Sequence, residues 1–271
     1  MRGHLWLPIA VVLAAGGPAA SAQVQSEGID PEAIIERILA ADSARASVLE
    51  DVVFDAEYVE GKQEKSGEFV EKIRFEKKIY IKFFDDTAWY HEDFLAYYKD
   101  GEPKSDKDLQ KEARERLKNK KKRSTRDISY PMLQPFYPEN RERYELEYVG
   151  VAAEAIEDFV CHQFAVRSKI EDGDHINGDY YFDAESFNVV RVDFSPAKLT
   201  KKTMFRLKKL DMTIRYGPSP EGYWLPRQFD IDMKGKAAFF FGVNVRGTEY
   251  YRKPVVNDGI DDEVFEVDND E

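Results

Sequence analysis

The sequence predicts a mainly β (α+β) fold, a curved antiparallel incomplete β-barrel covered by one or more helices. Three observations lead there. In Phe229-Asp230-Ile231-Asp232-Met233 apolar and acidic residues alternate strictly, so one face of that strand is buried and the other wet. On either side, Leu210, Met212, Ile214 and Tyr216 share one face against Asp211, Thr213 and Arg215, and Phe239, Phe241, Val243 and Val245 repeat the pattern against Asn244 and Arg246. Finally, Phe69, Ile73, Phe75, Ile79, Ile81 and Phe83 share one parity over fifteen residues, with Glu71 and Lys77 interrupting. A strand that long is expected to bend near Glu76-Lys77-Lys78, and long bent strands build partial barrels.

Met1-Arg2-Gly3-His4, the apolar run Leu5 to Ala15 and the small residues of Pro18-Ala19-Ala20-Ser21-Ala22 have the layout of a secretory signal peptide over residues 1–22, with cleavage expected after Ala22. The run is shorter than the roughly 20 apolar residues that a spanning helix needs. Residues 23–256 are expected to form a single domain. Asp30 is placed to cap a helix with Pro31 at its first position, and Ile34, Ile35, Ile38 and Leu39 fall on one stripe. That stripe either packs on the sheet as ordinary core or covers a cavity.

Val52 to Val59 alternates as a strand, Gly61 to Gly67 reads as a polar turn, and Trp89 to Lys99 as an aromatic-rich strand. Residues 104–126 form a charged insertion with eleven basic and four acidic residues, expected as an exposed helix with Leu109, Ala113 and Leu117 as its apolar line. Pro131, Pro135 and Pro138 predict an irregular loop over Ile128 to Asn140. Strands are expected again at Tyr144 to Val149, Phe159 to Ser168, Gly178 to Asp183 and Phe187 to Phe194. Gly217 to Gly222 and Lys234-Gly235-Lys236 supply turn chemistry in the closing meander. Residues 257–271, with eight acidic and no basic side chains, read as a mobile acidic tail.

A net charge of −12 argues against nucleic-acid binding, and Cys161, the single cysteine, permits no intrachain disulfide. No Gly-x-Ser-x-Gly elbow, zinc-type His-Glu-x-x-His motif or phosphate-cradling glycine loop is present. Cys161 and His162 are strand neighbours that point to opposite faces, which separates thiol from imidazole. Glu171, Asp172, Asp174 and His175 fit a hairpin turn, since calcium loops need a longer register of oxygen ligands. No catalytic residue, metal or cofactor is expected, and the protein is read as a non-enzyme.

Tyr181-Phe182-Asp183-Ala184-Glu185-Ser186-Phe187-Asn188-Val189-Val190-Arg191 followed by Glu221-Gly222-Tyr223-Trp224-Leu225-Pro226 resembles the outer-membrane lipoprotein-sorting proteins of the LolA-like superfamily. The resemblance takes in the signal peptide, the first helix and most strands; the charged insertion and the proline-rich segment depart from it. It implies a periplasmic half-barrel whose greasy cavity carries lipoprotein acyl chains or other lipids.

Ile34, Ile38, Phe75, Ile79, Ile81, Ile214, Phe229, Ile231, Met233, Phe239 and Phe241 are the candidate cavity-lining residues, any of which could equally be dry core. Lys120, Lys121, Lys122 and Arg123 are the candidate contact with an anionic membrane surface or envelope protein, or else a solvated face. The expected partner is a lipid or lipoprotein acyl chain, with no nucleic acid, and the expected state a periplasmic monomer. The alternative is an envelope interaction or sensor module on the same fold with no open lipid cavity.

Overall fold

The computed structural model describes residues 30–64, 66–84, 88–120, 131–199, 201–202, 205–237 and 241–266. Helix α1 (Pro31–Ala46) begins where the sequence placed it. The Asp30 carboxylate accepts from Glu32 N at 3.0 Å and Pro31 takes the first turn, where a missing N–H costs nothing. Its Ile34, Ile35 and Ile38 are buried.

Strands β1 (Asp51–Gln63), β2 (Phe69–Phe83), β3 (Ala88–Lys99) and β4 (Glu102–Pro103) precede helix α2 (Asp106–Lys120). After it come β5 (Tyr144–Val151), β6 (Cys161–Ser168), β7 (Ile176–Asp183), β8 (Val189–Pro196), β9 (Lys201–Lys202), β10 (Phe205–Pro218), β11 (Trp224–Ala237) and β12 (Phe241–Val256). All pair antiparallel in the order β4-β3-β2-β1-β12-β11-β10-β8-β7-β6-β5, with β9 beside β10. No pairing joins the two ends among the described residues, so the curved sheet is an incomplete barrel. The expected bend in β2 is a register shift against β3 at Glu76/Lys77.

Four sequence expectations change, three in the elements and one in the tail. Lys234-Gly235-Lys236 is not a turn but part of β11, paired with Asn244, Val243 and Gly242, and the β10 register slips opposite it between Leu207 and Lys209. Gly235 therefore marks a bulge, the other common use of a strand glycine. Gly61 likewise belongs to β1, at a shift between Glu60 and Gly61, where a Cβ would lie 2.2 Å from the Val70 carbonyl oxygen. The proline-rich stretch is not an irregular loop but two 3-10 helices, Pro131–Phe136 and Pro138–Arg143. Proline is tolerated at such a start because its fixed φ suits the first turn.

The first 3-10 helix delivers Phe136, fully buried, into the largest core cluster. Its ring meets Phe164, Tyr180 and Phe182 edge-on at centroid distances of 5.6, 5.2 and 5.3 Å. The α1 isoleucines, Leu133, Val166, Val192 and Tyr216 also belong to that cluster, which covers the β5–β8 half of the sheet. A second cluster of Leu49, Val52, Phe54, Ala56, Ile79 and Leu225 lies at the junction of β1, β2 and the start of β11.

The acidic tail does not trail free over its described part. The buried Asp51 carboxylate accepts from the backbone N–H groups of Asp258, Gly259 and Ile260 at 3.2, 3.1 and 3.2 Å. Ile260 and Phe265 are buried, the latter against Trp89.

Candidate functional site

Because side chains alternate across each strand, the ladder registers fix what lies together on the apolar face. One row runs Ile214, Phe229, Glu249, Tyr58, Phe75, Tyr97 across β10, β11, β12, β1, β2 and β3. The next runs Met212, Ile231, Gly247, Glu60, Ile73, and a third Leu210, Met233, Val245. Gly247 leaves room there for the Tyr58 hydroxyl, which would lie 2.8 Å from a Cβ. On β10, β11 and β12 the apolar members of these rows are half-buried. In strand order this strip separates the α1 cluster from β1–β3, and α2 packs against β3.

The sequence-derived candidates divide accordingly. Phe229, Ile231 and Met233 belong to the half-buried strip; Ile214 belongs to it and also touches the α1 cluster. Ile34 and Ile38 are buried within the α1 cluster, Ile79 is buried in the second, and the half-buried Ile81 packs against it. Phe75 is fully buried, stacked on Tyr97 at 4.9 Å and edge-on to Phe94 at 5.2 Å. Phe241 opens β12 and Lys120 ends α2, whereas Phe239, Lys121, Lys122 and Arg123 lie outside the described residues.

An ionic centre that sequence reasoning missed sits in the apolar face. The Lys77 ammonium lies 3.3 Å from Glu92 and closer still to Glu249, and these three side chains are 6%, 2% and 11% exposed. The Tyr90 hydroxyl donates to Glu92 and the Tyr251 hydroxyl to Glu249, the latter at 3.0 Å. Burial first, then the adjoining carboxylate, holds both phenols well above their ordinary pKa, so both remain neutral donors. The Tyr58 and Phe94 rings each stand 5.7 Å from the ammonium. One signal was visible in advance: Lys77 occupies the apolar parity of β2.

Beside this centre α2 contributes Arg116. Its guanidinium carbon lies 4.6 Å from the Phe75 ring centroid and 5.3 Å from that of Tyr58. A terminal nitrogen reaches Glu60 at 3.4 Å, and the Tyr58 hydroxyl donates to the same Glu60 oxygen at 2.9 Å.

The other face of the sheet is ionic. Arg215 pairs with Asp230 and Glu157, Lys209 with Asp211 and Asp232, and Arg252 with Glu57. A groove of about 780 Å³ opens there between Lys209, Arg215, Asp232, Arg246 and Arg252, with Ile231 reaching its wall. A smaller groove of about 400 Å³ adjoins it through the shared Asp211 and Thr213.

Cys161 and His162 do take opposite directions. The buried thiol faces the Phe159 carbonyl oxygen at 3.6 Å and is pushed up to about 12 by burial and then by Asp183, while His162 Nδ1 lies 3.0 Å from the Tyr148 hydroxyl. A buried thiol held protonated is a poor nucleophile. Asp172 accepts from Asp174 N, His175 N and His175 Nδ1 at 3.0, 2.9 and 2.8 Å, a closed turn. Among the described residues no His, Cys, Asp and Glu set is grouped to hold a metal ion, and no helix is long and apolar enough to cross a membrane.

No protein-family model and no curated protein matches the chain. Among solved structures it is similar to a DUF1329 family protein from Desulfovibrio piger, at 12% identity and TM-score 0.46 over 88% of this chain and 98% of that one. It is similar also to an outer membrane lipoprotein-sorting protein domain from Vibrio parahaemolyticus, at 11% identity and TM-score 0.41 over 87% and 97% of the two chains. A third likeness is to the LolA superfamily protein NE2245 from Nitrosomonas europaea, at 9% identity and TM-score 0.36 over 89% and 99%. The chain's own unclosed antiparallel sheet, with helices over its apolar face, is the incomplete barrel that the strand patterning predicted.

Proposed function

We propose that this is a non-enzymatic envelope protein that carries the acyl chain of a lipid or lipoprotein on its apolar sheet face. The observation that supports this reading is the half-buried strip of Met212, Ile214, Phe229, Ile231 and Met233 between the α1 cluster and the α2 side of the sheet. Burial of a chain of roughly 14 methylenes on such a strip, at about 0.8 kcal/mol each, supplies on the order of 11 kcal/mol before ordering costs. No reaction chemistry is needed. The basic residues Lys120, Lys121, Lys122 and Arg123 would add attraction to anionic headgroups during loading or delivery, at about 1 kcal/mol for each residue near the surface.

Native mass spectrometry of detergent-free protein, followed by lipid extraction, tests the reading. A co-purified lipid or acylated peptide is expected. Ile231→Asp places a charge in the strip and is expected to weaken uptake of a fluorescent fatty acid by about tenfold or more, with circular dichroism unchanged. A folded variant that binds like the parent moves the site away from Ile231. Full burial of Ile34, Ile38, Phe75 and Ile79 favours a second reading, a protein-binding module with a solid core. A lipid-free parent that also takes up no fatty acid would establish that reading in place of the carrier.

A further inference from the structure

The apolar face contains a fitted seat for a cation, and α2 fills it. Tyr58 and Phe75 present ring faces to the Arg116 guanidinium at 5.3 and 4.6 Å, and Glu60 reaches it at 3.4 Å. The Glu60 carboxylate is itself aimed by the Tyr58 hydroxyl at 2.9 Å. Aromatic faces with an adjoining carboxylate are the chemistry that selects organic cations over neutral or anionic groups. The field behind the seat has the same sense. Glu249 is the cross-strand neighbour of Tyr58, and it shares the single Lys77 ammonium with Glu92.

Arg116 is a loose occupant. Its side chain is 27% exposed, and its contacts to Glu60 and to Glu112, one turn earlier on α2, are 3.4 and 3.5 Å long. At 3.4 and 3.5 Å these half-buried contacts are long for charge-assisted hydrogen bonds, so the side chain can swing out without unfolding its helix. Glu60 and Ile73 sit in the same ladder row as Ile231 and Met212, so a head group in this seat continues directly into the apolar strip.

We infer that the Tyr58, Phe75 and Glu60 cradle is the head-group site for a cationic amphiphile, an alkyl chain bearing an ammonium group, and that Arg116 is its built-in stand-in. This rests on the carrier reading above, because the chain of that amphiphile lies on the same strip.

Three ligands of equal chain length, hexadecylammonium, hexadecanol and hexadecanoate, separate the two ideas when each displaces a bound fluorescent fatty acid from the full chain. The parent is expected to take the ammonium about tenfold more tightly than the alcohol, and the carboxylate least tightly. Arg116→Ala vacates the seat and is expected to tighten the ammonium further while leaving the alcohol unchanged. Glu60→Gln keeps an acceptor for the Tyr58 hydroxyl but removes the charge, and is expected to abolish the preference. Equal gains for all three ligands in Arg116→Ala would show that Arg116 merely blocks the strip, and an ammonium preference surviving Glu60→Gln would overturn the seat. Either result leaves the carrier reading standing, whereas failure of all three ligands to bind the parent removes both.

Discussion

Three charges less than about one-eighth exposed, at Lys77, Glu92 and Glu249, are held inside a mainly apolar face. Taking each out of water costs several kcal/mol, offset in part by mutual attraction and by the hydrogen bonds from Tyr90 and Tyr251. Such a group tolerates joint replacement better than the loss of one member. Lys77→Met is therefore expected to lower unfolding free energy by about 3–5 kcal/mol, read by urea denaturation, because two carboxylates stay buried without their ammonium. Adding Glu92→Gln and Glu249→Gln should recover part of that loss; equal stability of the single and triple variants would deny the coupling. The parity of β2 exposed Lys77 as a misfit in the sequence. Its partners were not legible, since Glu92 and Glu249 come from strands whose register with β1 and β2 only the folded sheet sets.

At the scale of elements, legibility followed how local the cause was. The alternation of Phe229 to Met233 is a property of one strand with a wet face, and β11 contains it as expected. The cap of α1 was likewise local, residing in Asp30 and Pro31. Gly235 was ambiguous because the same residue serves a turn or a bulge, and pairing with Val243 decides between them. Phe136 was misplaced for a stronger reason. Prolines on both sides of it mark the absence of strand, and burial beneath α1 is a tertiary effect without local periodicity. The short 3-10 helix earns its order through that one ring. Phe136→Ala is expected to cost about 3–5 kcal/mol by denaturant unfolding. A loss below about 1 kcal/mol would mean that the Pro131–Phe136 helix is dispensable decoration. The candidate site shows the same division: the strip on β10–β12 was read from alternation, but the Arg116 seat joins α2 to β1 and β2 and required the fold.

For the whole molecule, the decisive feature is that the first long strand pairs with the last. Val52 faces Val256 and Glu60 faces Gly247 in the middle of the sheet, with the β2–β4 wing on one side and the β11–β5 wing on the other. The wings are meanders of near neighbours in sequence, which assemble by local contacts; the seam between them closes a loop of nearly the whole chain and is intrinsically slow. A variant ending at Ala237, which lacks β12, is expected to leave β1 and β11 as open edges and to lose cooperative unfolding, with aggregation seen by light scattering. A soluble, cooperatively melting product would show that the wings are separate folding units. Synthesis delivers β1 early and β12 last, so the midline of this protein is the final part to knit. Until then, the surface proposed as the cargo strip is the rim of an unfinished sheet, so the last seam to close in the making of the molecule is the place where the proposed loading would occur.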